Sequence, residues 1–321
     1  MKIVVLDSHP FDSDGAVDWS ALRSLGDLTL HPGTAPEETT ARVAVADVVL
    51  TNKVPLRAEH LDAAPRLRLV SVLATGFDVV DARAARERGI TVCNVPGYST
   101  PSTAQTTIAL LLELCSHVGH HAARVREGAW QRAGVWSFWE RTPLELDGLT
   151  LAVVGMGAVG TRVARVAEAL GMRVLAAALG GRPGPGSGPY PRVPLAEALA
   201  RADVVSLHCP LTAQTRGLMN AGRIAAMKRG ALLVNAGRGP LVDDEAVAAA
   251  LRSGHLAGYA ADVLTTEPPA ADNPLLAAPN CLITPHFAWT SRASRQRLMD
   301  ASVENVRAFV AGSPQNDVNG N

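Results

Sequence analysis

The stretch that most limits what this chain can fold into is residues 149–179, LTLAVVGMGAVGTRVARVAEALGMRVLAAAL, which reads as strand, glycine-rich turn, helix and second strand. Residues 149–154 form a continuous apolar run suited to a parallel strand covered on both faces. The run ends in Gly155-Met156-Gly157-Ala158-Val159-Gly160. In a turn of this pattern the first glycine allows the tight bend, the second lets backbone approach a pyrophosphate, and the third lets the helix close on the strand. The helix N-terminus then offers N–H groups and partial positive charge to the phosphates. Val159, Val163, Val166 and Leu170 recur at helical spacing, and Gly171 stands where a left-handed C-cap belongs. A dinucleotide site is therefore expected here. One part of the pattern is missing, because the acidic residue that would hold the adenosine ribose at the end of the second strand is replaced by Ala178.

Short β-rich runs at 2–6, 47–51, 67–73 and 90–94 alternate with helical patterns such as 16–25 and 79–88. A second series follows at 149–154, 173–178, 203–207, 231–235, 256–261 and 281–284. Such alternation means βαβ units, so the expected class is α/β with two parallel-sheet domains in tandem. Between the series, Thr100 as N-cap and Pro101 at the first helical position open a helix expected to run to about Arg126. At 1.5 Å per residue it would be about 39 Å long, enough to cross between domains. A helical pattern at 291–311 would return to the first domain, placing linkers near 98–101 and 287–291 with a cleft between the domains.

The 321 residues carry 30 basic and 30 acidic side chains. That balance gives no field to draw the chain to nucleic acid or an anionic membrane surface. Cys93, Cys115, Cys209 and Cys281 are scattered without a C-x-x-C pair, which fits reduced thiols in the cytoplasm. The start, MKIVVLDSHP, lacks the apolar core of a signal peptide, and no apolar run is long enough to span a bilayer. Residues 180–189, GGRPGPGSGP, preclude helix or strand directly after the strand that should meet adenosine.

Three loops follow strand ends on the edge where open α/β sheets bind ligands. In Asn235-Ala236-Gly237-Arg238-Gly239, small residues bring backbone close to a ligand and Arg238 offers a planar fork of donors for a carboxylate. In Asp262-Val263-Leu264-Thr265-Thr266-Glu267-Pro268-Pro269, two prolines fix the chain after a carboxylate. In Thr284-Pro285-His286-Phe287-Ala288-Trp289, a histidine suits proton donation near neutral pH if a carboxylate orients it.

Taken together and in order, these motifs resemble the D-isomer-specific 2-hydroxyacid dehydrogenases over nearly the whole chain. Within that family Leu50-Thr51-Asn52-Lys53, Val72-Leu73-Ala74-Thr75-Gly76, Asn94-Val95-Pro96-Gly97-Tyr98 and His286-Phe287-Ala288-Trp289 are most similar to the glycerate dehydrogenase, or hydroxypyruvate reductase, branch. The resemblance implies a Rossmann cofactor domain (100–289) inserted in a flavodoxin-like substrate domain (1–99 and 290–321). It implies NAD(P)H-dependent reduction of a small 2-keto acid and its reverse, with Arg238, Glu267 and His286 as catalytic residues. Arg238 would bind the substrate carboxylate, His286 would protonate the carbonyl oxygen, and Glu267 would orient His286. Lys53, Thr75 and Gly76 would also meet the substrate. Thr103, Gly155, Gly157, Ala158, Val159, Gly160, Cys209, Pro210, Thr215, Ala236, Gly237 and Asp262 would meet the cofactor, with Asp262 at the nicotinamide end. A homodimer is also implied.

Ala178 in place of an acid removes both the acceptor for a ribose 2′-hydroxyl and the neighbour that would repel a 2′-phosphate, and Arg182 would pair with that phosphate. NADP is therefore expected over NAD. His117, His120 and His121 lack the partners of a metal set, and no metal is expected. Trp130, Trp136, Phe138 and Trp139 are expected to pack as a core cluster or to anchor an interface. The alternative function is a nucleotide-sensing, corepressor-like binding protein without turnover, whose mark would be a partner-binding groove or tail.

Overall fold

The computed structural model describes residues 1–180 and 189–320. The chain divides into two compact units, one formed by Met1–Ser99 with Trp289–Asn321 and the other by Thr100–Ala288. Arg182 lies outside the described residues.

The first unit holds a sheet of five strands: β1 (Lys2–Val5), β2 (Asp27–Leu30), β3 (Val48–Thr51), β4 (Leu69–Val72) and β5 (Thr91–Cys93), in the order β2-β1-β3-β4-β5. Successive residues alternate between two apolar layers. Ile3 and Val5 face Phe11, Trp19, Leu298 and Val303, while Val4 and Leu6 face Val43, Leu56 and Val92. A sheet covered on both faces needs apolar residues at every position of its strands, which is why these runs carried no polar alternation. The helix Arg292–Val310, capped by the Ser291 hydroxyl accepting from Ser294 N–H, covers the first of these layers. Past it, Asn94 N–H donates to Asn316 and Val318 N–H donates to Val92, so the last residues lie along β5.

Among the described residues the second unit holds seven strands: β6 (Thr150–Val154), β7 (Arg173–Ala178), β8 (Arg192–Pro194), β9 (Val204–Leu207), β10 (Ala231–Asn235), β11 (Leu256–Ala261) and β12 (Cys281–Ile283). Their order is β12-β11-β10-β9-β6-β7-β8, the doubly wound arrangement in which strand order reverses at β6 and β9. The strand pairings within both sheets are parallel. Leu151 and Val153 pack with Val163, Ala164, Ala167, Ile108 and Leu111, and Ala152 and Val154 pack with Leu199, Val247 and Leu251 on the other face.

Several expectations need correction. The helix drawn as one piece to Arg126 is two, Thr100–Ser116 and Val118–Arg126, broken at His117 in the left-handed region (φ 51°). The cause is local, since the Glu113 carboxylate accepts from Gly119 N–H at 3.1 Å and so satisfies a donor at the start of the second helix. Thr100 is the first helical residue rather than the cap. In the helix Ala158–Ala169 the buried face is Gly160, Val163, Ala164 and Ala167, and Val166 is exposed. Close approach of helix to strand at Gly160 selects small residues for that face, turning the valine stripe partly outward. The 16–25 pattern yields only Ser20–Arg23 as helix, and β2 and β8 are strands that the sequence pattern missed. No helix among the described residues is long and apolar enough to cross a membrane.

Candidate active site

The second unit brings five loops, those after β6, β9, β10, β11 and β12, to the carboxyl edge of one sheet. After β6, Gly155 adopts φ 101°, and a Cβ there would meet Cys209 N at 2.5 Å and the His208 carbonyl carbon at 2.6 Å. A Cβ on Gly160 would strike the Gly155 carbonyl oxygen. Around Gly157 the protein leaves open space, with nothing within 4 Å of the Cβ position. Two glycines are thus demanded by the fold, and the third leaves open space of the kind a pyrophosphate needs against the first turn of the helix Ala158–Ala169. Ala158 is exposed at that turn and Val159 half-buried beside it.

Cys209 and Pro210 follow β9 and adjoin the glycine turn through the contact at Gly155. Thr215 is buried, its hydroxyl donating to the Pro210 carbonyl at 2.7 Å and accepting from Thr212 N–H at 2.7 Å, so it braces this loop. His208, which the motif reading passed over, pairs with the Ser206 hydroxyl at 2.8 Å, and burial pushes its imidazole down to about 4. It is neutral at pH 7. Thr103 is half-buried on the helix Thr100–Ser116, where its carbonyl accepts from the Thr107 hydroxyl. Ala178 is the last residue of β7 and its methyl is buried.

Adjacent strands β10, β11 and β12 deliver the remaining groups. Asn235 is buried, donating from Nδ2 to the Arg238 carbonyl at 2.9 Å and accepting from Gly237 N–H at 3.1 Å. This closes the Ala236-Gly237-Arg238 turn and points Arg238 outward, half-buried, with one guanidinium N–H on the Gly237 carbonyl at 2.9 Å. A Cβ on Gly239 would strike the Leu264 carbonyl, so the Arg238 loop lies directly against the loop that carries Glu267. Glu267 accepts from Leu264 N–H through Oε1 at 2.9 Å and meets His286 Nδ1 through Oε2 at 2.5 Å. The pairing left open by the sequence is therefore present.

Asp262, only 1% exposed, sits beneath this pair. Its carboxylate accepts from the Thr284 hydroxyl at 2.7 Å, Phe287 N–H at 3.0 Å and Ala288 N–H at 2.8 Å. Burial raises its pKa, opposed by those bonds and by the charge of His286. The grip explains how His286 holds a left-handed conformation (φ 53°), one that costs a non-glycine residue about 1 kcal/mol or more unless its surroundings over-determine it. Of the expected site residues, Lys53, Thr75 and Gly76 belong to the first unit. Lys53 and Thr75 are exposed after β3 and β4, and the Thr75 loop is tied by its hydroxyl to the Val95 carbonyl at 2.9 Å and by Asn94 Nδ2 to the Thr75 carbonyl at 2.7 Å. The Ser206–His208 pair carries no motif signal beyond being polar residues at the end of an apolar strand.

A loop-fixed carboxylate–imidazole pair with an arginine loop packed against it, and a glycine turn with open space at the same sheet edge, is equipment suited to hydride and proton transfer to a substrate that bears a carboxylate. Residues 108–288 match the model of the D-isomer-specific 2-hydroxyacid dehydrogenase NAD-binding domain. A hydroxypyruvate reductase of Blautia hydrogenotrophica is 45% identical over 322 residues, covering 99% of this chain and 100% of that protein. A glycerate dehydrogenase of Methylorubrum extorquens is 40% identical over 285 residues, covering 88% of each chain. The crystal structure of the TT0316 protein from Thermus thermophilus superposes with a TM-score of 0.87 at 40% identity, covering 99% of this chain and 100% of that one. The chain belongs to the D-isomer-specific 2-hydroxyacid dehydrogenase family and is an NAD(P)-dependent oxidoreductase.

Proposed function

We propose that this protein reduces hydroxypyruvate, glyoxylate or a close 2-keto acid to the D-2-hydroxy acid, and catalyses the reverse. The observation that carries the reading is the 2.5 Å contact between His286 Nδ1 and Glu267 Oε2. It fixes the ring and offsets positive charge on it, leaving Nε2 to give a proton to the substrate carbonyl oxygen. Arg238 takes the substrate carboxylate with the remaining N–H groups of its guanidinium and polarises the carbonyl. Lys53 and the N–H groups of Thr75 and Gly76 also serve the carboxylate. The nicotinamide cofactor, when bound, supplies the hydride. Gly155, Gly157, Ala158, Val159 and Gly160 receive its pyrophosphate, and Thr103, Cys209, Pro210, Thr215, Ala236, Gly237 and Asp262 line the rest of its path. Asp262 acts there as the brace of the His286 loop.

NADPH is the favoured reductant, because the buried methyl of Ala178 neither accepts a 2′-hydroxyl nor repels a 2′-phosphate, and Arg182 supplies the cation on sequence grounds. The four unpaired cysteines fit the reducing cytoplasm. The functional partner is a second copy of the chain, docked through the aromatic arm that follows Val118–Arg126.

The test is the initial rate of NADH and NADPH oxidation against a panel of 2-keto acids. Turnover with NADPH ahead of NADH is expected, and no oxidation of either across the panel would overturn the function. His286→Ala is expected to lower kcat by about 10²–10⁴-fold with cofactor binding retained. Equal activity in that variant would remove His286 from the mechanism.

A further inference from the structure

The loop that carries Lys53 is built around a carboxylate. Asp7, 4% exposed, follows β1, and Asn52-Lys53-Val54 follows β3. These are the neighbouring strands at which the first sheet's order reverses, the point on an open α/β sheet where ligands bind. Asp7 Oδ1 accepts from Asn52 N–H at 2.8 Å, and Oδ2 accepts from Lys53 N–H at 2.5 Å and Val54 N–H at 3.2 Å. Three successive amides converging on one anion form a nest. Asn52 Nδ2 donates to the Leu73 carbonyl at 2.5 Å, and the Thr51 hydroxyl donates to the Val54 carbonyl at 3.0 Å. Thr51, Asn52 and Val54 are buried, and Lys53 is the one exposed side chain of the four.

Two consequences follow. The nest is already filled by the protein's own carboxylate, so a substrate carboxylate has to be met elsewhere on this edge. The bonds that fill it also fix which way the loop turns, with its two neighbours inward and Lys53 outward. We propose that Asp7 is a positioning residue for substrate binding, its carboxylate setting the 52–54 loop so that Lys53 is presented to the carboxylate of the 2-keto acid. The second unit repeats the device, with Asp262 after β11 gripping residues 287 and 288 after the neighbouring β12. In each sheet a buried aspartate at one strand end holds the exit loop of the next strand. The proposal rests on reading Lys53 as a substrate ligand.

In Asp7→Asn the amide turns a donor toward amide donors, so the loop loses its anchor while Lys53 remains. Steady-state rates with hydroxypyruvate, and KM for NADPH, are to be measured on the full chain for the unsubstituted protein, Asp7→Asn, Lys53→Met and the double variant. Asp7→Asn is expected to raise KM for hydroxypyruvate about tenfold with kcat and the NADPH KM within about twofold, the mark of lost uniform binding. The double variant is expected to be no worse than Lys53→Met, because both changes remove one contact. A merely structural role would lower the active fraction and leave KM where it was, and that result overturns the proposal. If Lys53→Met raises KM and Asp7→Asn does not, the proposal fails and the function stands. If Lys53→Met has no effect, the reading of Lys53 falls and the proposal with it. If the unsubstituted protein does not turn over, the function itself is wrong. Should Asp7→Asn fail to fold, Asp7→Ser with a water in the nest gives the same readout.

Discussion

At Gly157 the protein asks for nothing that a methyl group would obstruct, since no atom lies within 4 Å of a Cβ there, whereas at Gly160 the Gly155 carbonyl forbids one. Gly157→Ala is therefore expected to keep or slightly raise Tm, as the replacement reduces unfolded-chain entropy, while raising the cofactor KM about tenfold or more. A lowered Tm with unchanged cofactor KM would show that the glycine serves the fold. Residues of this kind are legible in a sequence because the backbone demand and the chemistry both restrict the residue type, as they do for Arg238, Glu267 and His286. The hold of Asp7 on the 52–54 loop and of Thr284 on Asp262 was not legible, since each works on partners chosen by the sheet. Asp7 grips residues 45 to 47 positions away, and Thr284 holds Asp262 22 positions away.

At the scale of elements, strands buried on both faces announced themselves as apolar runs, but two of the four edge strands, β2 and β8, did not. An edge strand needs fewer apolar positions, so its pattern fades into that of a loop. The break at His117 was hidden for another reason, because the Glu113 carboxylate that caps the second helix reaches forward six positions. The end of β9 carries a pH dependence. Burial holds His208 at about 4 against an ordinary 6.5, so between those values the unfolded chain takes a proton that the folded one refuses. Stability from this group is complete above pH 6.5 and is lost as pH falls toward 4. Asp7 and Asp262, raised by burial, act in the opposite sense, gaining stability as pH falls through their own range. Tm is expected to drop on acidification across the His208 window, and His208→Gln to flatten the drop. An unchanged slope in the variant would assign the loss to other groups.

For the whole molecule, the exposed apolar surface is concentrated in one segment, with Val118, Val125, Trp130, Val135, Trp136, Trp139 and Leu144 all in or beside the aromatic arm. Trp136 is 92% exposed and Trp139 63%, so the arm is not a core cluster. Arg124 and His120 both pair with Glu140, holding this surface in place. Soluble monomers rarely leave such a patch to water. Trp136→Ser with Trp139→Ser is expected to convert a dimer to a monomer in sedimentation equilibrium, and a monomeric unsubstituted protein at micromolar concentration would refute the docking surface. The division of the chain has a further outcome in the order of events during synthesis. Residues 100–288 form a unit from one continuous segment, whereas the first unit closes only when the helix Arg292–Val310 arrives and residues 316–318 settle along β5. On a ribosome the cofactor-binding half can complete itself while its host still waits for its last helix, so the half that is begun first is finished last.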